Sequence, residues 1–229
     1  MPKAILLDAV GTLMHPIEPV GKTYARIARS YGIERDSAIL GHQFAAVFPA
    51  LPRVIYSASS PDQWEFMEKE WWSALVQAVF QEEFADFNIF FEEVWQYYDT
   101  PQAWGIYPEV PEVLKQWQKQ EIQLAVVSNF DQRLIHVLEG LNLDHFFSPI
   151  IHSSLAGAAK PDAKIFTTCL DLLGVRADEA LHVGDSWADD VIGALSAGLP
   201  AAWVKRNGEK PKQLPPGVQC VTQLAGLLR

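Results

Sequence analysis

The chain has 229 residues, with 28 acidic against 18 basic side chains and a formal net charge of −10. Such an acid surplus argues against a nucleic-acid partner, because a phosphate backbone demands a Lys/Arg footprint. No stretch approaches the ~20 apolar residues of a membrane span, and the apolar run after Lys3 is too short for a signal peptide, so neither a membrane partner nor export is expected. Two cysteines, Cys169 and Cys220, are too few for a disulfide framework and fit a reducing cytoplasm. The length allows one large domain or two small ones, and a core of ~150 residues buries roughly 70% of its unfolded surface without staples. The basic group Lys205, Arg206, Lys210 and Lys212 is diluted by Gly208 and Pro211 and reads as a solvated loop. An acidic protein that binds an anion must therefore concentrate positive potential locally, through a metal, a lysine or helix amino termini.

The first element is the apolar run Ala4 to Leu7, which delivers the chain abruptly to Asp8 within AILLDAVGTL. Four apolar residues followed at once by an acid read as a buried parallel strand ending at its carboxyl edge, where open α/β sheets place ligands. An Asp there can also cap the loop through its own side chain. From residue 14 to about 98 the pattern is helical only. Tyr24, Ile27, Ala28 and Tyr31 share a face and Gly32 can stop that helix, and a second run over 38–48 ends before Pro49 and Pro52. A third begins at Pro61 or Asp62 and carries Trp64, Met67, Trp71, Trp72 and Leu75. A fourth, from Glu82, carries Phe84, Phe87, Phe91, Val94, Trp95 and Tyr98. Aromatic stripes at this spacing fill the core of a small bundle more readily than they line a substrate pocket.

Past Trp104 strands and helices alternate. YPEVPEVLKQWQKQ opens a helix, a strand over 122–127 closes on Ser128 and Asn129, and a helix over 133–141 leads to a strand near 149–152. Lys160-Pro161-Asp162 precedes a helix from Ala163 to Leu173, and a strand over 181–183 runs into Asp185, Asp189 and Asp190. A helix over 190–197 and a strand from Ala201 to Val204 follow, and Pro215-Pro216-Gly217 marks a turn before a short terminal helix. This alternation predicts an α/β fold with right-handed crossovers and a doubly wound parallel sheet.

The order of chemistry-bearing groups is carboxylate, hydroxyl, lysine, carboxylate cluster: Asp8, Ser128, Lys160, then Asp185 with Asp189 and Asp190. In this the chain resembles the haloacid dehalogenase-like hydrolase superfamily over nearly its whole length. It is nearest to the branch with a helical cap after the first motif, which includes phosphoglycolate-type phosphatases and haloacid dehalogenases, and within it to the rhythmically expressed haloacid dehalogenase-like hydrolases. The resemblance implies a Rossmann-like core from residues 1–14 and 99–229 and an α-helical cap from 15–98. It implies Asp8 as a nucleophile that forms an aspartyl-phosphate, and Lys160 paired with Asp8 and the transferring group. Thr12, Ser128 and Asn129 would hold the phosphate of a small phosphorylated metabolite. Mg²⁺ would bind Asp8, the backbone carbonyl of Val10, Asp185 and Asp190, with Asp189 as the alternative last ligand. Plain structural roles stand beside these: Ser128 as a strand-end turn, Lys160 as a surface lysine before a proline, and the acids as caps of the following helix.

Val10 departs from the pattern. Phosphatases of this superfamily carry a second Asp there as general acid and base, and valine cannot carry a proton. DAVGT is nearer to the dehalogenases' Asp-Ala-Tyr-Gly-Thr, yet those enzymes lack the acidic GDSxxxD cluster that follows Val183 here. Three functions fit: a magnesium-dependent phosphatase-like hydrolase of restricted activity, a metal-free dehalogenase-like hydrolase, and a binding or regulatory protein that keeps a phosphate-and-metal pocket. His15, His152 and His182 each offer a replacement acid or base, although a lone histidine is more often structural. Trp187 reads as cover for the sheet edge.

Overall fold

The apolar residues Ala4–Leu7 form β1, with Ile5, Leu6 and Leu7 at most 2% exposed, so each contributes roughly 2 kcal/mol through burial. This structure, a computed structural model, describes residues 1–52, 54, 60–82, 84–209, 211 and 213–228. Lys210 and Lys212 of the basic group lie outside the described residues. The chain divides into two compact units, Met1–His15 with Ile106–Arg229 and Pro16–Gly105. The short strands β2 (Met14–Pro16) and β3 (Trp104–Ile106) pair with each other, and the helical unit runs from Pro16 to Gly105.

The helical unit contains α1 (Val20–Arg29), α2 (Ser37–Ala50), α3 (Pro61–Phe80) and α4 (Phe87–Tyr98). Their aromatics pack on one another: Phe90 lies 5.0 Å from Phe80, 5.3 Å from Phe84 and 6.0 Å from Tyr31, ring centroid to centroid. Two boundaries differ from the sequence expectation. The helix α2 runs through Pro49 to Ala50, because a proline near a helix end displaces few backbone bonds. And α4 starts at Phe87 rather than Glu82, since Gln81 closes α3 in the left-handed region at φ 59° and the chain must turn before it can restart. No helix among the described residues is long and apolar enough to cross a membrane.

In the other unit, β4 (Gln123–Ser128), β5 (Ile150–His152), β6 (Ala180–Gly184), β7 (Ala201–Val204) and β8 (Val218–Val221) join β1 in a six-stranded sheet of order β5-β4-β1-β6-β7-β8. Every pairing is parallel. The helices α5 (Val110–Lys119), α6 (Arg133–Gly140), α7 (Ser153–Ala156), α8 (Ala163–Leu173) and α9 (Gly193–Ser196) fall between the strands. This is the α/β, doubly wound fold. From β1 the chain builds outward through β4 and β5, then crosses back to β6 and builds the other way. The switch point therefore lies between β1 and β6, the place where such sheets open a crevice at their carboxyl ends.

The segment after β6 is not the plain helix over 190–197 that the sequence predicts. Trp187–Ile192 winds as a π-helical turn, and only Gly193–Ser196 is α-helical. The wider turn, closed by Val191 N donating to Ser186 O at 3.2 Å, swings Asp190 back toward the strand it follows. The carboxyl-terminal expectation also changes. Val218–Val221 adds an edge strand whose short, half-buried pattern carries little periodicity, and a 3-10 turn at Leu224–Leu227 replaces the terminal helix.

Candidate active site

β1, β4 and β6 end side by side, and each sends a polar side chain to the same place. Asp8 follows β1 with its amide donating to Val183 O at 2.9 Å, Ser128 closes β4, and Asp185 follows β6. Lys160 arrives from the loop before α8, and its ammonium donates to Asp8 Oδ1 at 2.7 Å and to Asp190 Oδ1 at 2.6 Å. The Ser128 hydroxyl donates to Asp8 Oδ1 at 3.2 Å. Both bonds fall on Oδ1, and among the described residues no hydrogen bond reaches Oδ2.

Asp8, Ser128, Lys160 and Asp190 are all buried, with Asp190 1% and Lys160 2% exposed, so their charges are felt strongly. For Lys160 burial opposes the charge, but Asp190 and Asp8 overcome it and hold the ammonium above the usual lysine range. Burial works against the Asp190 carboxylate too, and Lys160 and His182 outweigh it, so Asp190 stays well below the ordinary carboxylate range. One ammonium shared between two carboxylates cannot serve both fully. Asp8 loses: burial, together with the Asp190 charge, raises it despite Lys160. Removing Lys160 would leave two buried acids uncompensated, a loss of about 3–5 kcal/mol.

Asp185 stands at the solvent side, exposed where Asp8 and Asp190 are not. Its carboxyl is pushed up to about 7, first by the protein packed around it and then by the Asp8 and Asp190 charges. One oxygen from each of Asp8, Asp185 and Asp190 lies within 4.8 Å of the others. Three carboxylates facing one ammonium leave a surplus of two negative charges among hard oxygen donors, which fits a divalent cation of the Mg²⁺ or Ca²⁺ type. Two glycines make the approach possible. Gly11, at φ +90°, and Gly184 lie so close to the Asp185 and Asp190 carboxylates, respectively, that a Cβ on either would overlap them.

Several residues make contacts that the sequence does not announce. The Asn129 carboxamide donates to Lys160 O at 2.9 Å and accepts from Lys160 N at 2.6 Å. It therefore clasps the lysine's backbone. Thr12 is completely buried and its hydroxyl has no partner among the described residues, while its carbonyl accepts from Arg206 at 2.6 Å. Arg206, expected in a solvated loop, pairs instead with Glu109 at 2.9 Å and sits over the Tyr107 ring. Asp190, rather than Asp189, is the acid that meets Lys160.

The histidines are also placed. His182 is fully buried behind Asp190, with Nε2 2.9 Å from Oδ1, and since a carboxylate only accepts, Nε2 carries the proton of that bond. His152 is buried beside Ser154, its Nδ1 2.7 Å from the hydroxyl, and desolvation pushes it down to about 4. His15 lies against Tyr107, ring centroids 4.8 Å apart. Sequence reasoning missed the contributions of His182, Asn129 and Arg206. Asn129 and Arg206 act on backbone far away in sequence, and His182 meets Asp190, eight residues on, only because the π-turn swings that acid back to its strand.

The site and fold together define a hydrolase class: a haloacid dehalogenase-like hydrolase family profile matches residues 2–198, and the chain belongs to that family. Bovine haloacid dehalogenase-like hydrolase domain-containing protein 3 is 32% identical over 219 residues, covering 93% of this chain and 84% of that protein. The rhythmically expressed gene 2 protein of Drosophila melanogaster is 27% identical over 214 residues, covering 90% of this chain and 82% of that protein. The crystal structure of a HAD phosphatase from Thermococcus onnurineus shares the fold with a TM-score of 0.67 at 24% identity, over 98% of this chain and 95% of that one.

Proposed function

We propose that this hydrolase cleaves a small phosphorylated metabolite through an aspartyl-phosphate at Asp8, with Mg²⁺ as cofactor and with turnover restricted by Val10. The observation that carries it is the Lys160 ammonium held between Asp8 and Asp190, with Ser128 on the same Asp8 oxygen. The pair of bonds orients the carboxylate and leaves Oδ2 to attack phosphorus in line, forming the Asp8–phosphorus bond as the bond to the leaving oxygen breaks. Lys160 then offsets charge gathering on the phosphoryl oxygens, and the Ser128 hydroxyl, turning its single proton from Asp8 Oδ1, donates to one of them. Asn129 is a positioning residue that fixes the Lys160 backbone. A bound Mg²⁺ would be held by Asp8, the Val10 carbonyl, Asp185 and Asp190, and would neutralise the phosphoryl group's negative charge.

The leaving oxygen needs a proton and the attacking water needs a base, and the Val10 side chain supplies neither. A missing general acid typically lowers the rate ~10²- to 10⁴-fold, so acyl and aryl phosphates, whose leaving groups depart unprotonated, are the favoured substrates. The helical unit Pro16–Gly105 is assigned the part of a cap that excludes water, and the two free cysteines fit a cytoplasmic protein. A metal-free dehalogenase-like reaction would explain Val10, but the surplus of carboxylates opposes a 2-haloacid, itself an anion. A pocket kept only for binding would explain Val10 as well, with Asp8 poised to no purpose.

The test is a screen of phosphate esters and haloacids with Mg²⁺ or a chelator, run beside Asp8→Asn. Phosphate release that needs both Mg²⁺ and Asp8 supports the proposal. Halide release insensitive to the chelator replaces it with the dehalogenase reaction, and turnover of neither class leaves the binding protein.

A further inference from the structure

Two residues beyond β7, the Arg206 guanidinium donates from Nε to Gly11 O at 2.9 Å and from Nη2 to Thr12 O at 2.6 Å. Its Nη1 meets Glu109 Oε1 at 2.9 Å, and Glu109 also accepts from Leu224 N at 3.3 Å. The guanidinium carbon lies 3.2 Å from the centroid of the Tyr107 ring, within cation–π range. All three guanidinium nitrogens are thus engaged, one face lies on Tyr107, and the side chain is 16% exposed. A lysine has one compact ammonium in place of the fork and cannot span two successive carbonyls and a carboxylate at once.

The two carbonyls belong to the turn that carries Val10 and follows Asp8. That turn is closed by Gly11 N to Met14 O at 2.7 Å and Leu13 N to Ala9 O at 2.8 Å, and Gly11 packs directly on the Asp185 carboxylate. On the opposite lip of the crevice, Trp203 of β7 donates from its indole to Asp185 O at 2.8 Å. The end of β7 therefore braces both lips, one that bears Asp8 and one that bears Asp185.

We propose that Arg206 is a positioning residue for the nucleophile turn: its fork sets Gly11 and Thr12 against Asp185 and so fixes how far the Asp8 carboxylate and the Val10 peptide stand from that acid. This rests on the proposed use of Asp8 and Asp185 only in its second consequence, metal affinity. The first consequence is metal-free. Without the fork the Gly11 and Leu13 amides open more often, while β1, buried and paired on both sides, does not.

The experiment measures amide hydrogen exchange by NMR and Mg²⁺ binding by calorimetry on the full chain, for wild type, Arg206→Lys, Arg206→Gln, Glu109→Gln and Asp185→Asn. In the metal-free protein, Arg206→Lys, which keeps a charge opposite Glu109, is expected to speed exchange at Gly11 and Leu13 about tenfold relative to the β1 amides. Arg206→Gln is expected to do at least as much and keeps the test open should the lysine variant fail to fold. Glu109→Gln, which leaves the fork on the turn, is expected to stay within about twofold of wild type. Mg²⁺ affinity should fall about tenfold in the Arg206 variants, equal to about 1.4 kcal/mol. Unchanged exchange at Gly11 and Leu13 in a folded Arg206 variant overturns the proposal, as does an equal effect of Glu109→Gln. Wild type that takes up no Mg²⁺, or Asp185→Asn that matches wild type, overturns the magnesium proposal instead, and the exchange data then decide Arg206 by themselves.

Discussion

The sheet unit and the helical unit are stabilised by different side chains. In the sheet unit one side of the core is mostly aliphatic, with Ala4, Leu6, Val127, Ile151 and Ile165 packed against Phe166, while Trp117, Phe146 and Phe147 are buried elsewhere in the unit. In the helical unit it is aromatic, built on Tyr24, Phe80, Phe90, Phe91 and Trp95. Charge separates them further: among the described residues Glu68 is the one buried charged side chain of the helical unit, while Asp8, Asp131, Arg133, Lys160 and Asp190 are all buried in the sheet unit. Burying charge is expensive unless it is paired, so a region that keeps several such groups is where chemistry is concentrated. Changes to the sheet unit should alter reactivity, and changes to the helical core should alter stability first.

The largest test of that contrast is Asp8→Asn. The amide is nearly isosteric but is no nucleophile, so phosphate release should fall by at least ~10⁴-fold while the fold persists. Steady-state phosphate assays beside circular dichroism check it, and residual activity near wild type would move the chemistry elsewhere. On the other side stands Phe90→Ala. Phe90 is fully buried among Phe80, Phe84 and Tyr31, and truncation should cost about 3–5 kcal/mol in chemical denaturation. Mg²⁺ titrated into the folded variant should bind as it does to wild type. A large loss of affinity would break the separation between the two units.

Legibility in the sequence followed the same division. β1, α8 and β7 fall at Ala4–Leu7, Ala163–Leu173 and Ala201–Val204, where continuous apolar runs or an Asp162 cap mark the ends. The strand-end groups were legible too, because a polar residue after a buried strand has few reasons to be there. β2, β3 and β8 were not, being three or four residues long and only half-buried, too short for any period to register. Nor was the π-turn at Trp187–Ile192, whose apolar spacing imitates an α-helix until Asp190 is seen turned back to Lys160. Arg206 read as a loop cation, and nothing marked Asn129 as the partner of the Lys160 backbone. Only the tertiary fold shows that each grips a backbone remote in sequence.

His152 tests whether burial in the sheet unit leaves a measurable pH signature. Its folded pKa of about 4 lies below the ordinary 6.5, so the folded protein holds it neutral while the unfolded chain takes up a proton as pH falls below 6.5. Stability from this group is complete above pH 6.5 and is lost progressively down to pH 4, a change on the order of 3 kcal/mol. The imidazole resonances in the folded protein should stay unshifted to about pH 5 by NMR. A midpoint near 6.5 would show that the buried setting does not hold His152 neutral.

Val10 gives the smallest effect and the sharpest one, since it asks whether the sheet unit lacks a single group. If Asp8 attacks phosphorus, the first step succeeds with a good leaving group and stalls with a poor one. The second step stalls with both, because water reaches the aspartyl-phosphate without a base, so acyl or aryl phosphates should give a burst and then slow turnover. Val10→Asp supplies the missing carboxyl. Val10 is half-buried rather than enclosed, so the new side chain keeps some access to water. The charges of Asp8, Asp185 and Asp190 nearby favour its protonated form, the state a general acid needs. Alkyl phosphate turnover should rise by something approaching ~10²-fold, and the burst with aryl phosphates should merge into faster steady turnover. The gain must vanish in the double variant with Asp8→Asn, which separates repaired catalysis from a new, unrelated route. A Val10→Asp protein that folds and binds Mg²⁺, yet gains nothing on any phosphate ester, would mean that the proton was never what this site lacked, and the phosphatase mechanism would lose its main support.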